Sequence, residues 1–451
     1  MEKTRGGFSS KIGFVLAAAG SAVGLGNLWR FPYLAAQYGG GIFLLVYIII
    51  AITFGFALMI TEIAIGRKTG SSAIVAFKKL DKKWGFLGVL ASLIPVIILP
   101  YYSVIGGWVL KYMNTFLKGQ VVEATGDKYF STFIAKPWEP ILWFSIFIAA
   151  TTLFVFFGVE KGVENASKFM MPLLVVLTLL ITVYVVTRPG SMDDIIYYIK
   201  PDFTKFSVKT VLAALGQLFY SMSLAMGIMI TYGSYMKKEA HIEQSVRQIE
   251  IFDTAIAFMA GLMIVPSVFS YANGDVDMLQ SGPGLMFITL PKVFADMTFG
   301  RVIGSIFFLL VLFAALTSAI SLMETIVSIV TDRFKLDRKL ACLLVAAFCI
   351  LVGIPSSLGF GIWSNVAPLG MSILDFFDFI SNSIMMPIVA LLTCIFVGFV
   401  IKPKTITDEI EVNGPFKMEK FYHIMISWVA PICIIAILVT AVLGAFGILK
   451  I

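Results

Sequence analysis

Eleven apolar runs, each long enough to cross a bilayer, divide this chain and leave it few folds. They fall near residues 12–37, 41–66, 87–113, 139–158, 165–187, 208–236, 248–271, 301–330, 338–354, 371–401 and 421–448. Together they raise the mean hydropathy to +0.94 and hold charged residues to 14% of 451. No soluble domain of this size has that balance. In hydrocarbon every backbone N–H and C=O must be paired within the protein, and apolar runs of this length satisfy that as helices. The chain therefore reads as an all-α polytopic membrane protein. No low-complexity linker divides it, so one domain covers 1–451.

Basic residues alternate in density between successive loops. Lys3, Arg5 and Lys11 precede the first run, and the loop after the second holds Arg67, Lys68, Lys78, Lys79, Lys82 and Lys83. Lys237, Lys238 and Arg247 follow in a later even-numbered loop, then Arg333, Lys335, Arg338 and Lys339, then Lys402, Lys404, Lys417 and Lys420. The intervening loops are sparser and carry Asp193, Asp194, Asp202, Asp275 and Asp277. The positive-inside rule then puts the N-terminus in the cytoplasm and, after eleven spans, the C-terminus outside a cell (inner) membrane. The net charge of +7 is mostly this inner-leaflet bias and not a nucleic-acid signal. Ala17-Ala18-Ala19 is no cleavage site, because the apolar run before it is short and continues past it. Cys342, Cys349, Cys394 and Cys433 lie inside runs, and His241 and His423 are isolated. Neither a disulfide framework nor a histidine-based metal or catalytic constellation follows.

The first run contains Gly20-Ser-Ala-Val-Gly-Leu-Gly-Asn-Leu-Trp-Arg-Phe-Pro32. Each glycine costs a helix interior about 1 kcal/mol relative to alanine. Three of them beside Asn27 and Arg30 read as a deliberate break, and a break at membrane depth survives only where it lines a protein-walled cavity. A small-residue stripe for close helix packing is the plainer reading, but it does not ask for Asn27 and Arg30. The sixth run is interrupted in a comparable way, from Gln217 through Ser221, Ser223 and Gly227 to Tyr235. Two broken spans five apart point to an inverted repeat, the first half about 10–187, the second about 208–401, with an extra helix about 421–448.

Other polar residues stand inside the runs. Glu62 is expensive there and reads as functional, its partners expected among the freed amides of the first break. A protonated or snorkelling acid is the alternative. Tyr101 and Tyr102 sit mid-run, where most tyrosines are packing residues. Gly162 and Pro172 bracket the inner end of the fifth run and would let it unwind as a gate, although an ordinary helix start explains them nearly as well. Thr317 and Ser318 are adjacent hydroxyls, able to flank a small cation or to bond back to their own helix. Asp375 and Asp378 lie near the outer end of the tenth run.

With these residues read, the chain resembles the neurotransmitter:sodium symporter family, of the bacterial amino-acid-transporting kind with the LeuT fold. The resemblance covers nearly the whole chain. It is most specific over Gly20–Tyr33, with support from Glu62 with Gly66-Arg67, Tyr101-Tyr102, Ser223 to Tyr235, Gly282 to Leu285, Thr289-Leu-Pro291 and Ala314 to Ser318. It implies eleven transmembrane helices in a 5+5 inverted repeat with helices 1 and 6 broken. It implies two sodium sites, the first from the Ala22 carbonyl, Asn27, Ser221, Asp253 and the substrate carboxylate. The second would use the carbonyls of Gly20, Val23 and Ala314 with the hydroxyls of Thr317 and Ser318. A substrate carboxylate would meet the amides of Gly24–Gly26 and the Tyr102 hydroxyl, and its ammonium the carbonyls of Ala22, Tyr220 and Ser221, and Ser223. Its side chain would lie among Ile98, Ile105, Tyr220, Met226, Ser318 and Leu322. Arg30 with Asp378 would close the outer path, and Arg5 with Asp332, supported by Tyr235 and Glu324, the inner one. Phe8 stands where many relatives carry tryptophan. Asp253 adds a fixed anion beside a sodium, so no chloride requirement is expected.

The function expected is sodium-coupled import of a hydrophobic or aromatic L-amino acid, in a protein that is not an enzyme. A small amino acid or an amine is the alternative substrate. A channel or an intramembrane enzyme is the alternative class, and the latter lacks any nucleophile or metal cluster in this sequence.

Overall fold

A computed structural model describes residues 6–272 and 282–445. Arg5, Asp275 and Asp277 lie outside the described residues. Among the described residues, nine continuous helices are long and apolar enough to cross a membrane. They are α2 (Gly41–Thr69), α3 (Lys82–Leu117), α4 (Glu139–Phe156), α5 (Val159–Val186), α7 (Ile242–Tyr271), α8 (Gly300–Phe334), α9 (Arg338–Leu358), α10 (Ile373–Val400) and α11 (Glu419–Gly444). The first run forms α1 as a bent pair, Lys11–Ala22 and Gly26–Gln37, at 54°. The sixth forms α6 as two short helices, Val208–Ser221 and Ile228–Gly233. Both breaks fall where the polar and glycine residues predict them; ten of the eleven runs are matched by spans, counting the bent pair as one, and the sixth holds the two short helices.

The breaks have local causes. α1 begins on Ser10, whose hydroxyl accepts from the Gly13 amide. Its outer half restarts as a π-turn over Gly26–Arg30, with Pro32 at the head of the following α-helix, where a missing N–H costs nothing. In α6 the chain from Met222 to Gly227 leaves the helix, and Ser223, Ala225 and Gly227 take φ of 53°, 62° and 74°. Only glycine adopts that region freely, so two side-chain-bearing residues hold strained backbone here.

α8 is the central helix, with 83% of its most apolar window buried, whereas α11 has 22% buried and lies at the edge. α3 packs along α8, and Pro95 and Pro100 fall inside α3 without ending it. Short helices absent from the sequence reading cap the bundle, among them Tyr129–Ala135, Met192–Ile199 and Leu290–Asp296.

Two expectations for the inner half change. The start of α5 is not unwound between Gly162 and Pro172. It runs as a π-turn over Val159–Glu164 and then as an α-helix from Asn165 to Val186, straight through Pro172. Glu164 there is fully buried and accepts from Ser9 N at 2.6 Å, Ser9 Oγ at 2.7 Å and Ser10 Oγ at 2.8 Å. Those bonds tie the head of α1 to α5. Glu62, in turn, is not partnered by the α1 break. It accepts the Ala225 amide at 2.6 Å, in the α6 break. The sequence reading chose the wrong freed amide because which broken helix faces α2 is a matter of packing.

Candidate functional site

The two breaks face each other. Ser21 Oγ donates to Ser223 Oγ at 3.1 Å, and Ser223 Oγ donates to the Ser21 carbonyl at 2.9 Å. Around this contact two clusters of oxygen atoms form. In one, Asn27 Nδ2 and Ser221 Oγ donate to Asp253 Oδ1 at 2.8 and 2.9 Å. Asn27 Oδ1 accepts from the Gly24 amide at 3.1 Å, and the Ser221 hydroxyl lies 3.3 Å from it. Tyr47, which the sequence reading missed, donates to Asp253 Oδ2 at 3.3 Å. Asn27 and Asp253 are buried. The cluster joins α1, α2, α6 and α7, and it could hold one small cation against one formal negative charge.

The second cluster has no formal charge. Ser318 Oγ lies 3.4, 3.2 and 3.4 Å from the carbonyls of Gly20, Ser21 and Val23. Thr317 Oγ1 bonds back to the carbonyls of Phe313 at 2.9 Å and Ala314 at 3.1 Å. Thr317 thus does what an ordinary helical threonine does, while Ser318 reaches across to α1. Carbonyls and hydroxyls from a broken and an unbroken helix converge, which is the oxygen set an alkali cation needs.

Between the clusters lies a narrow cavity of about 50 Å³. Gly24, Gly26 and Tyr102 line it, together with Ile98, Met226 and Leu322. A Cβ on Gly24 would stand 2.8 Å from Ser318 Oγ and 3.4 Å from Tyr102 Oη. The Tyr102 hydroxyl is buried beside Ser318 and the Leu25 amide, without a well-formed hydrogen bond to either. Buried hydroxyls are rarely left so, and one aimed at a cavity suits a polar ligand. Ala22, Tyr220, Ser221, Ser223 and Ser318 also line this space. Ile105 does not. It faces a second, larger cavity of about 700 Å³ on the outer side. Ser21, Ile228 and Asn382 line the inner cavity unannounced by the sequence reading, and Leu25 and Tyr101 line it too. Asn382, four residues past Asp378 in an apolar run, was the most legible of them.

Arg30 and Asp378 both line the outer cavity, but the expected ion pair between them is not formed. The Arg30 guanidinium lies 5.2 Å from the centre of the Tyr220 ring, and Asp378 accepts from Tyr101 and Asn382 instead. On the opposite side of the site, expected to face the cytoplasm, aromatic rings pack together. Phe8 meets Phe14 and Tyr232 edge-on at 5.5 Å and Tyr235 at 6.2 Å. Tyr235 Oη donates to Glu324 Oε1 at 2.7 Å, and Arg338, which the sequence reading did not name for this gate, pairs with the same carboxylate. Asp332 accepts from the Ser72 amide and hydroxyl at 2.8 and 2.6 Å.

A broken α1, a broken α6 and facing oxygen clusters have a counterpart among known proteins. The sequence profile of the Sodium:neurotransmitter symporter family matches residues 5–133 and 134–446. The chain belongs to that family. The sodium-dependent transporter YhdH of Bacillus subtilis is 35% identical over 441 residues, 95% of this chain and 96% of that one. The human sodium- and chloride-dependent GABA transporter 2 is 25% identical over 90% of this chain and 75% of its own. The crystal structure of MhsT in complex with L-phenylalanine has a TM-score of 0.87 at 36% identity, and the match covers 97% of this chain and 100% of that one. The protein is accordingly a sodium-dependent membrane transporter of this family and not an enzyme, and its fold is the LeuT type.

Proposed function

We propose that the protein imports a hydrophobic or aromatic L-amino acid together with sodium by alternating access. The two halves, α1–α5 and α6–α10, would rock about the site between their broken helices. The observation that carries the substrate class is the cavity itself, lined both by a buried Tyr102 hydroxyl without a hydrogen bond and the Gly24–Gly26 backbone and by the apolar side chains of Ile98, Met226 and Leu322. A carboxylate suits the Tyr102 hydroxyl and that backbone. A charged side chain would have no counter-ion among Ile98, Met226 and Leu322. The phenylalanine bound by the MhsT neighbour agrees with this reading. Met226 is flexible enough to move aside for aliphatic and aromatic shapes, which the narrow cavity requires.

Sodium is a co-substrate here. The Asn27–Ser221–Asp253 cluster with the Ala22 carbonyl would hold one ion, completed by the amino acid's carboxylate. The Ser318–Thr317 cluster with Gly20, Val23 and Ala314 would hold the other. A tenfold gradient is about 1.4 kcal/mol per ion, and 100 mV adds about 2.3. Two ions then supply roughly 7 kcal/mol, a limit on the order of 10⁵-fold accumulation.

The test is equilibrium binding of L-[³H]phenylalanine to purified protein in sodium and in potassium, with competition by each of the twenty amino acids. Sodium-dependent binding displaced best by leucine, isoleucine, methionine, tryptophan or tyrosine is expected. Best displacement by glycine or by a charged amino acid overturns the substrate class, and binding indifferent to sodium overturns the coupling.

A further inference from the structure

Asp378 ends the first α-helical segment of α10, Ile373–Asp378, and the helix then widens into a π-helical stretch over Phe379–Met385. Such widenings recur at functional sites because they re-aim side chains without breaking the helix. This one sets Asn382 on the boundary between the two cavities, where it lines both. Among the described residues that line the inner cavity, it alone comes from α10.

Asn382 Nδ2 donates to Asp378 Oδ1 at 2.6 Å and to Tyr101 Oη at 2.9 Å. Tyr101 Oη in turn donates to the same Asp378 oxygen at 3.1 Å. A single carboxylate oxygen thus takes two donors, one from its own helix and one from α3. The only other charged residues on the outer cavity among those described are Arg30, which rests on Tyr220, and Asp375, whose Oδ2 accepts from Ser372. Arg30 and Asp378 are therefore within one cavity and unpaired while the Asn382–Tyr101–Asp378 triangle is intact.

We propose that Asn382 is a positioning residue that holds the outer gate open: its amide and the Tyr101 hydroxyl dock Asp378 on α3, and Arg30 competes with them for the carboxylate as the gate closes. A hydrogen bond made in the open arrangement and given up in the closed one shifts the balance toward open. Because Asn382 also lines the inner cavity, a ligand arriving there can disturb the triangle, which joins occupancy of the site to release of the gate. This rests on the reading of Arg30 and Asp378 as the outer gate.

The experiment reads the gate without needing the substrate. A reporter cysteine replaces Leu212 on the outer cavity, with Cys433→Ser to remove the half-buried native thiol. Its rate of reaction with a membrane-impermeant maleimide is measured in proteoliposomes in sodium chloride. Asn382→Ala is expected to slow labelling, because losing the bonds to Asp378 and Tyr101 lowers the open-to-closed ratio by at least about fivefold. Tyr101→Phe, which keeps the ring and Asn382, is expected to slow it by a smaller factor. Adding Asp378→Asn to Asn382→Ala is expected to restore fast labelling, since no carboxylate then remains for Arg30. A merely structural asparagine would not be rescued in that way. Unchanged or faster labelling in Asn382→Ala overturns the proposal. Should that variant not fold, unchanged labelling in Tyr101→Phe overturns it instead. The gate reading itself is checked in the unmutated background, where Arg30→Ala should keep labelling fast even with saturating L-phenylalanine present. If Arg30→Ala closes as the parent does, the gate assignment fails, and the Asn382 result stands apart from it.

Discussion

Gly24 carries more of the proposed chemistry than any side chain around it. A Cβ there would press on Ser318 Oγ at 2.8 Å, so the position keeps space that the backbone amides need to face a ligand. Gly24→Asp would fill that space and set a carboxylate against the carboxylate of an amino acid. Binding of L-phenylalanine is expected to weaken by more than about 100-fold, roughly 3 kcal/mol, with the helical circular-dichroism signal unchanged. Retained tight binding would mean that the carboxylate lies elsewhere. Ser318 and Thr317 make a separate prediction at the same scale. Replacing both by alanine leaves every carbonyl of the second cluster in place and removes its two hydroxyls. The sodium concentration for half-maximal binding should rise at least about tenfold, the loss of roughly 1.4 kcal/mol. An unchanged sodium dependence would show that the second ion is not held there.

The broken helix α6 is the element whose integrity depends most on a residue outside it. Between Met222 and Gly227 the chain leaves the helix in strained backbone at Ser223 and Ala225. The Ala225 amide is satisfied by Glu62 of α2 at 2.6 Å. Glu62→Ala would leave that amide buried without an acceptor, a cost of about 1–3 kcal/mol. Glu62→Gln keeps an acceptor oxygen and should cost less. Thermal unfolding in detergent is expected to rank wild type above Glu62→Gln and Glu62→Gln above Glu62→Ala. A Glu62→Ala protein as stable as wild type would remove Glu62 from the support of the break. Glu62 was legible as a costly residue, but its partner was not. Period and composition mark a carboxyl in an apolar run, whereas the choice between two sets of freed amides depends on how α2 lies against α6.

At the scale of the whole molecule the structure holds a cavity of about 700 Å³ on the Arg30–Asp378 side of the site, and on the other side Phe8 packs against Tyr232 and Tyr235. Deeper than this cavity, Asp253 supplies the carboxylate of the Asn27–Ser221 cluster. In water-poor surroundings a positive ion needs a nearby negative charge, and a mobile chloride or a covalent carboxylate can supply it. Uptake is therefore expected to be equal in sodium chloride and sodium gluconate. Asp253→Asn should lose at least about tenfold in uptake, with partial recovery in chloride. A clear chloride requirement in the unmutated protein would show that Asp253 does not serve as this anion. Comparing the two buffers in one proteoliposome preparation decides it.

The eleven apolar runs, the breaks in the first and sixth, and the residues Asn27, Ser221, Thr317 and Ser318 could all be named from the sequence. Each is a local property: spanning length, glycine and proline that interrupt a helix, and polar atoms too costly to bury without a task. The tertiary structure alone decided which of them meet. It added Tyr47 to the Asn27–Ser221–Asp253 set that the family resemblance had implied, gave Glu62 to the α6 break, moved Ile105 out to the larger cavity and left Arg30 on Tyr220. It also joined Arg338 to Glu324, and Asn382 to Asp378 and Tyr101. Such pairings join residues up to 281 positions apart. They follow from how rigid helices cross and rotate against one another, and nothing in the local order of a single chain specifies that rotation.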